Sequence, residues 1–287
     1  MRSNIGGNIG SNIIVTNDDG LSSPLLLPLI KELSGRAFCG TLLAVVPASE
    51  QSWIADAMSR FRELTATPHQ FGEIAGFMLD GTPADCASIG IHNLAKHSPD
   101  LVISGINMGT NASLPFFLCS GTVGAVTQAF LNGVPGIALS CVIPPEVFSL
   151  WMLKDIAGLN AKFAERFAQV AKYGVRVCER LVKAQAMKAA DFYSVNLPWE
   201  INAKSELRIT RLARATFRTM FAEVEPGHFS HRLTGFDFPE GHNGSSLPED
   251  LAVLETGAVS ITPVKFEVSC EVSELLKQQI TGTVLGD

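Results

Sequence analysis

The chain has 287 residues, 46% of them hydrophobic and 17% charged, the balance of an ordinary globular protein able to bury a sizeable core. Its 22 Lys and Arg against 28 Asp and Glu give a net charge of −6 with the basic residues scattered, which excludes a basic stripe for a nucleic-acid polymer. Residues 1–12 lack the apolar core of a secretory signal, and the six cysteines are dispersed without C-x-x-C or zinc-spaced histidines, so a cytoplasmic protein with reduced thiols and no structural zinc is expected.

After a flexible lead-in over residues 1–12, residues 13–16 (Ile-Ile-Val-Thr) form a short β-branched strand. It ends in Asn17, two adjacent carboxylates, Asp18 and Asp19, and Gly20. Neighbouring charges at a strand end call for a cation or for a solvated turn, and Asn, Asp and Gly are also ordinary turn formers, so this ending alone leaves a plain loop open. Residues 24–33, Leu-rich after Ser-Ser-Pro, are predicted helical. Further strands are predicted at 42–46, 76–79, 101–104 and 136–140, and a helix at 122–131 opens at Ser120-Gly121-Thr122.

The most apolar window, 134–153, contains Pro135, Pro144, Pro145 and Glu146, which break a membrane-spanning helix; it reads as a buried strand followed by a loop. Residues 161–188 place Phe163, Phe167, Val170 and Leu181 at helical spacing, as one helix or as two divided at Gly174. A strand at 192–197 follows. The stretch 207–250 is rich in Phe, Arg, His, Pro and Gly, with Pro226-Gly227 and Glu240-Gly241 as turns, and reads as an extended hairpin arm. A strand at 258–263 and a short helix at 272–279 close the chain.

Strands alternating with longer connections predict an α/β fold, a parallel sheet covered by helices on both faces, in one large domain or two small ones. In such a sheet ligands bind beyond the carboxyl ends of the strands. Those ends carry Asn17, Asp18 and Asp19; then Ser49, Gln51 and Ser52; then Asp80 and Asp85; then Asn107, Thr110 and Asn111. An all-oxygen set suits Mg²⁺, Mn²⁺ or Ca²⁺ better than zinc or copper. Beside it, Cys119-Ser120-Gly121-Thr122-Val123-Gly124 runs into a helix and offers backbone N–H groups to an anion such as phosphate. Neither G-x-x-x-x-G-K-[ST] nor G-x-G-x-x-G is present, so phosphate-ester hydrolysis fits better than ATP use or hydride transfer.

V-T-N-D-D-G at 15–20, P-x-x-x-Q-S at 47–52, G-T-P-A-D-C at 81–86, P-D-L-V-I-S-G-I-N-x-G-x-N at 99–111, S-G-T-V-G-A at 120–125 and V-S-I-T-P at 259–263 together resemble the survival protein E (SurE) family of metal-dependent nucleotidases. The resemblance implies a three-layer α/β/α sandwich with a Rossmann-like, mostly parallel sheet, with residues 1–287 as a single domain. It also implies a β-hairpin arm, over about 205–257, exchanged between subunits of a homodimer or homotetramer. It further implies hydrolysis of nucleoside 5′- and 3′-monophosphates, with short polyphosphate as a further substrate in some members. By motif, Asp18, Asp19, Ser52 and Asn107 would hold one Mg²⁺ or Mn²⁺ per subunit. Asn111, Ser120, Gly121 and Thr122, with Asn17 beside them, would hold the phosphate and substrate. Asp18 or Asp19 would act as base or nucleophile.

The chain departs from the family pattern at Met108, where Arg is frequent, and in the apolar run from Ala112 to Cys119. It departs again at Gln51-Ser52-Trp53-Ile54, where a family histidine has no counterpart. A homologue that binds nucleotides without turnover and a broader phosphatase are the competing readings. Plainer roles are open to several residues: an N-cap for Ser120, a helix cap for Asp85, turns for Asn107 and Asn111. His228 and His231 suit a solvated loop, and Arg208, Arg211, Arg214 and Arg218 a solvated arm face. Phe116, Phe117, Phe229, Phe236 and Phe238 are candidates for a base pocket or for subunit packing.

Overall fold

The structure, a computed structural model, describes residues 11–237, 246–267 and 269–281. Residues 1–10 of the expected lead-in, Phe238 and the Glu240-Gly241 turn lie outside the described residues. Ser11 and Asn12 already belong to the first strand.

A nine-stranded sheet carries the fold. Its strands are β1 (Ser11–Thr16), β2 (Cys39–Pro47), β3 (Ala66–Phe71), β4 (Ile74–Leu79), β5 (Leu101–Met108), β6 (Gly136–Val142), β7 (Phe192–Pro198), β8 (Leu207–Ile209) and, later in the chain, β13 (Val259–Val264). Their spatial order is β3-β4-β2-β1-β5-β6-β7-β13-β8. The six strands from β4 to β7 are mutually parallel, while β3 and β13 pair antiparallel with their inner neighbours. Sequence patterning misses β3, because Pro68 argues against a strand; it is tolerated there because β3 is an edge.

Alternation along β1 shows how both faces are covered. Ile13 and Val15 point into a core shared with α1 (Leu26–Ser34), through Leu26, Leu29 and Leu33, and with α6 (Ile156–Lys183), through Phe167, Val170 and Cys178. Ile14 points the other way and packs with Ala129 of α4 (Gly121–Leu131), while Cys86 of α2 (Pro83–Ile89) packs on Val45 and Leu79. The period of two on a strand thus builds the three layers. Helix α6 runs unbroken through Gly174, where an added Cβ would lie 3.0 Å from Leu197 Cδ1. The glycine lets the helix lie close on β7 instead of ending it. The expected loop after β6 is in fact helix α5 (Pro145–Met152), because Pro145 at the first helical position is compatible with helix.

Helix α2 opens with a capping box. Thr82 Oγ1 accepts from Asp85 N at 3.0 Å, and Asp85 Oδ2 accepts from Thr82 N at 2.9 Å, so Asp85 has the capping role open to it in the sequence. Asp85 Oδ1 also accepts from Ser59 N at 3.0 Å. Asp85→Ala is therefore expected to cost about 2 kcal/mol in urea unfolding, the upper end for a cap, since a second segment loses its acceptor as well.

Helix α3 (Leu114–Cys119) leads into α4. The predicted arm is narrower than its sequence suggests: β8 pairs with β13 in the main sheet. The projecting part comprises β9 (Thr216–Phe217), β10 (Phe221–Glu225), β11 (His228–His231) and β12 (Phe236–Asp237), with β10 and β11 joined at Pro226-Gly227 as expected. Helix α7 (Asp250–Glu255) returns the chain to the sheet, and α8 (Glu274–Ile280) follows β13. Among the described residues no helix is long and apolar enough to cross a membrane, and the six cysteines are free.

Candidate active site

The connections leaving β1 lead outward to β2 and β4, and the chain then returns to place β5 on β1's other side, so the strand order reverses between β1 and β5. That reversal opens a crevice at their carboxyl ends. Asn17 closes the turn there: its Nδ2 donates to Gly20 O at 3.0 Å and its Oδ1 accepts from Gly20 N at 3.2 Å. Gly20 has φ +75°, and a Cβ on it would lie 2.7 Å from the Ser49 carbonyl carbon, so only glycine fits. The turn holds Asp18 and Asp19 at 3% and 1% exposure. Asn17, expected beside the substrate, makes both of these hydrogen bonds within the turn.

Asp18 meets the start of α4. Its Oδ1 accepts from Thr122 Oγ1 at 2.5 Å and its Oδ2 from Thr122 N at 3.0 Å. A carboxylate at a helix N-terminus is favoured by the dipole and the unpaired N–H groups. The approach is close because residue 121 is glycine: a Cβ there would lie 2.9 Å from Asp18 Cβ and 3.1 Å from Gln51 O. Ser120 is the N-cap, its Oγ accepting from Val123 N at 3.1 Å. Both donors of Thr122, expected on a phosphate, are directed at Asp18.

Asp19 faces β5. Strand β5 is bulged between Ser104 and Asn107, and beyond the bulge Met108 N donates to Asp19 Oδ2 at 2.8 Å. Asn107 beside it is 9% exposed. The 47–52 loop reaches the same crevice, with Gln51 N donating to Asp18 O at 2.7 Å, and Ser52 in that loop is exposed. Asn111 donates through Nδ2 to Ser140 Oγ at 2.7 Å, and its backbone N–H donates to Asn196 Oδ1 at 2.9 Å.

Burial pushes the Asp18 carboxyl up to about 6, against the lowering effect of the Thr122 donors, and Glu50 adds to the rise. Asp19 is raised well above the usual carboxylate range by burial and by the Asp18 charge. Among the described residues no Lys or Arg forms an ion pair with either. Two buried carboxylates with hydrogen bonds and no cation are the environment that a bound hard cation relieves. No three His, Cys, Asp or Glu gather into a ligand group among the described residues. The oxygen donors of Asp18 and Asp19 suit a hard cation better than zinc or copper.

The elevated carboxyls have a measurable consequence. A carboxyl whose folded pKa lies above its unfolded value of 3.8 adds stability below that value and loses it as pH rises through about 6. In EDTA, the Tm of the wild type relative to Asp18→Asn is expected to fall between pH 4 and pH 7. Added Mn²⁺ is expected to raise the wild-type Tm more at pH 7.5 than at pH 5. A pH-independent Tm difference between the two proteins would contradict this.

Two features were not visible in the sequence. Glu50 accepts from Ser52 N at 2.7 Å and adds a third negative charge beside the pair. Asp250, fully buried, accepts from Ser113 N at 2.8 Å and from Ala213 N at 2.9 Å, tying the loop after Asn111 to the base of the arm. Ser113, Ala55 and Trp53 all have positive φ (71°, 53° and 62°), and all three lie in the loops that frame the crevice. Neither Asp250 nor Glu50 belongs to a motif that marks it.

The remaining candidates fall outside the crevice chemistry. His228 and His231 lie on exposed β11, and the His231 ring packs at a tilt against Trp53. Arg208, Arg211 and Arg218 pair with Glu206, Glu249 and Asp237. Phe117 stacks on Phe192 in the core.

The family model for Survival protein SurE matches residues 13–219. The 5′-nucleotidase SurE of Methanosarcina barkeri is 31% identical over 269 residues, covering 92% of this chain and 96% of that protein. That of Methanocaldococcus jannaschii is 30% identical over 276 residues, covering 93% and 96%. The crystal structure of the SurE protein from Aquifex aeolicus superposes with a TM-score of 0.67 at 21% identity, over 93% of this chain and 97% of that one, which shows the shared fold. With its carboxylate pair at the β1–β5 reversal and this match across most of its length, the chain belongs to the SurE family.

Proposed function

We propose that this protein is a metal-dependent 5′-nucleotidase, hydrolysing nucleoside 5′-monophosphates, and 3′-monophosphates as well, to nucleoside and phosphate. The observation that carries the reading is the buried pair Asp18 and Asp19, which has no Lys or Arg partner among the described residues, Asp18 at the N-terminus of α4 and Asp19 against β5. Asp18, Asp19, Ser52 and Asn107 hold one Mg²⁺ or Mn²⁺ per subunit. When bound, the cation polarises the phosphoryl group and lowers the pKa of a water. Asn111, Ser120 and the N–H of Gly121 bind the phosphate, and the α4 dipole stabilises charge on its oxygens in the transition state. Asp18, against that helix start, takes the proton of the attacking water; Thr122 fixes its orientation.

Residues 1–287 form one domain in this reading, with the arm joining subunits into a homodimer or homotetramer. Exposed Phe221, Val224 and Phe229 on the hairpin support that role. A cytoplasmic location suits the free cysteines. The test is phosphate release from a panel of nucleoside 5′- and 3′-monophosphates, ribose 5-phosphate and polyphosphate, with Mn²⁺ or Mg²⁺ and with EDTA. Metal-dependent release that favours nucleotides is the expected result, and no metal-dependent release from any of them overturns the reading.

A further inference from the structure

We infer that Trp53 is the floor of a nucleobase subsite, held for stacking by a cluster of aromatic rings. The inference rests on the nucleotidase reading and adds to it a residue that selects the base. Trp53 follows Ser52 directly, and its loop is pinned to the phosphate side of the crevice: Ala55 N donates to Cys119 O at 3.0 Å, and Gln51 O and Ile54 Cγ2 lie against Gly121. Where the 51–54 run departs from the family pattern, the chain has placed a large aromatic ring beside a proposed metal ligand.

The ring is both supported and accessible. Phe116 of α3, Phe217 of β9 and His231 of β11 lie 5.7, 5.7 and 4.8 Å from it between centroids, all tilted. Phe236 braces Phe116 and Phe217 at 5.0 and 5.6 Å. Such tilted contacts are favourable aromatic geometry and restrict the indole's motion. Trp53 nevertheless remains 38% exposed, and its backbone is held at φ +62°. A large aromatic ring fixed in an unusual backbone conformation, part open, next to a phosphate site, matches the stacking platforms by which proteins hold bases of any sequence. The occupant is the planar heterocycle of a mononucleotide, and purines, with the larger ring system, gain most.

The discriminating variant is Trp53→Leu, with far-ultraviolet circular dichroism and Tm confirming that it folds, and Trp53→Phe as the conservative partner. Trp53→Leu is expected to raise KM for adenosine 5′-monophosphate by about 5- to 150-fold, the equivalent of one lost base stack, and for a pyrimidine monophosphate by less. The inhibition constant of inorganic phosphate and the affinity for Mn²⁺ stay unchanged. Trp53→Phe restores most of the loss, and adenosine 5′-monophosphate quenches wild-type tryptophan fluorescence but not that of Trp53→Leu. An unchanged KM for the nucleotide, or an equal loss for inorganic phosphate, overturns the inference while leaving the nucleotidase reading intact. A wild type that releases no phosphate from any nucleotide removes both.

Discussion

Asp19→Asn is expected to lower metal-dependent kcat/KM by more than about 100-fold and, in the same protein, to raise the Tm measured in EDTA at pH 8. The loss follows from removing a proposed ligand charge, an effect larger than the roughly 10- to 100-fold attached to the outer partners of a metal site. The gain follows from burial. Without a cation, Asp19 is a nearly inaccessible carboxylate raised by desolvation and by Asp18, and among the described residues no Lys or Arg pairs with it. An amide keeps an oxygen for the Met108 N–H, 2.8 Å away, and removes the uncompensated charge. With saturating Mn²⁺ the order of the two Tm values should reverse. Differential scanning calorimetry with and without metal checks both halves, and an Asp19→Asn protein that is less stable than wild type in EDTA would show that the carboxylate has a structural partner that an amide does not satisfy.

Gly124→Ala is expected to destabilise the protein by about 2–3 kcal/mol and to weaken Mn²⁺ binding at least about 10-fold, although alanine is the better helix former. Gly124 lies within α4, and a Cβ there would fall 2.2 Å from Ala55 O and 2.7 Å from Ala55 C. Those are backbone atoms that no rotamer change can move. Relief requires the segment around residue 55 to lift off the helix, and Ser52 and Trp53 lift with it. Gln51 N, which donates to the Asp18 carbonyl at 2.7 Å, is on the same stretch. Urea unfolding and calorimetric Mn²⁺ titration measure the two effects. A stabilised variant, as expected for glycine on an open helix face, would sink the argument that this glycine is needed for close approach.

Much of the architecture was legible because local chemistry and tertiary environment agree. Ile13, Ile14 and Val15 are β-branched, and both faces of a central parallel strand demand apolar residues, so run and environment coincide. The polar ends of β1 and β5 could be lined up before any contact was known, since a parallel sheet brings carboxyl ends to one side. The capping box of Thr82 and Asp85 is legible for the same reason: its partners are three residues apart. Where the reading missed, long-range packing overrode a local signal. Gly174, which left one helix or two open, is a point of helix-to-sheet approach, the edge strand β3 with its Pro68 was not predicted, and Pro145 starts a helix where a loop was expected.

Asp18 and Asp19 show where the division falls. By itself the sequence determined that two carboxylates end a buried strand, that hydroxyls and amides end its neighbours, and that a glycine-bearing helix start follows, because these depend on residue type and on the period of strand and helix. Only the tertiary structure decided what each group touches. It turned Asn17 inward to close the turn, aimed both Thr122 donors at Asp18 across 104 residues of chain, tied Ser113 to Asp250 across 137, and gathered Trp53, Phe116, Phe217 and His231 from four segments. Such contacts are set by how layers pack, and a side chain's partner at that separation leaves no periodic trace in the residues around it.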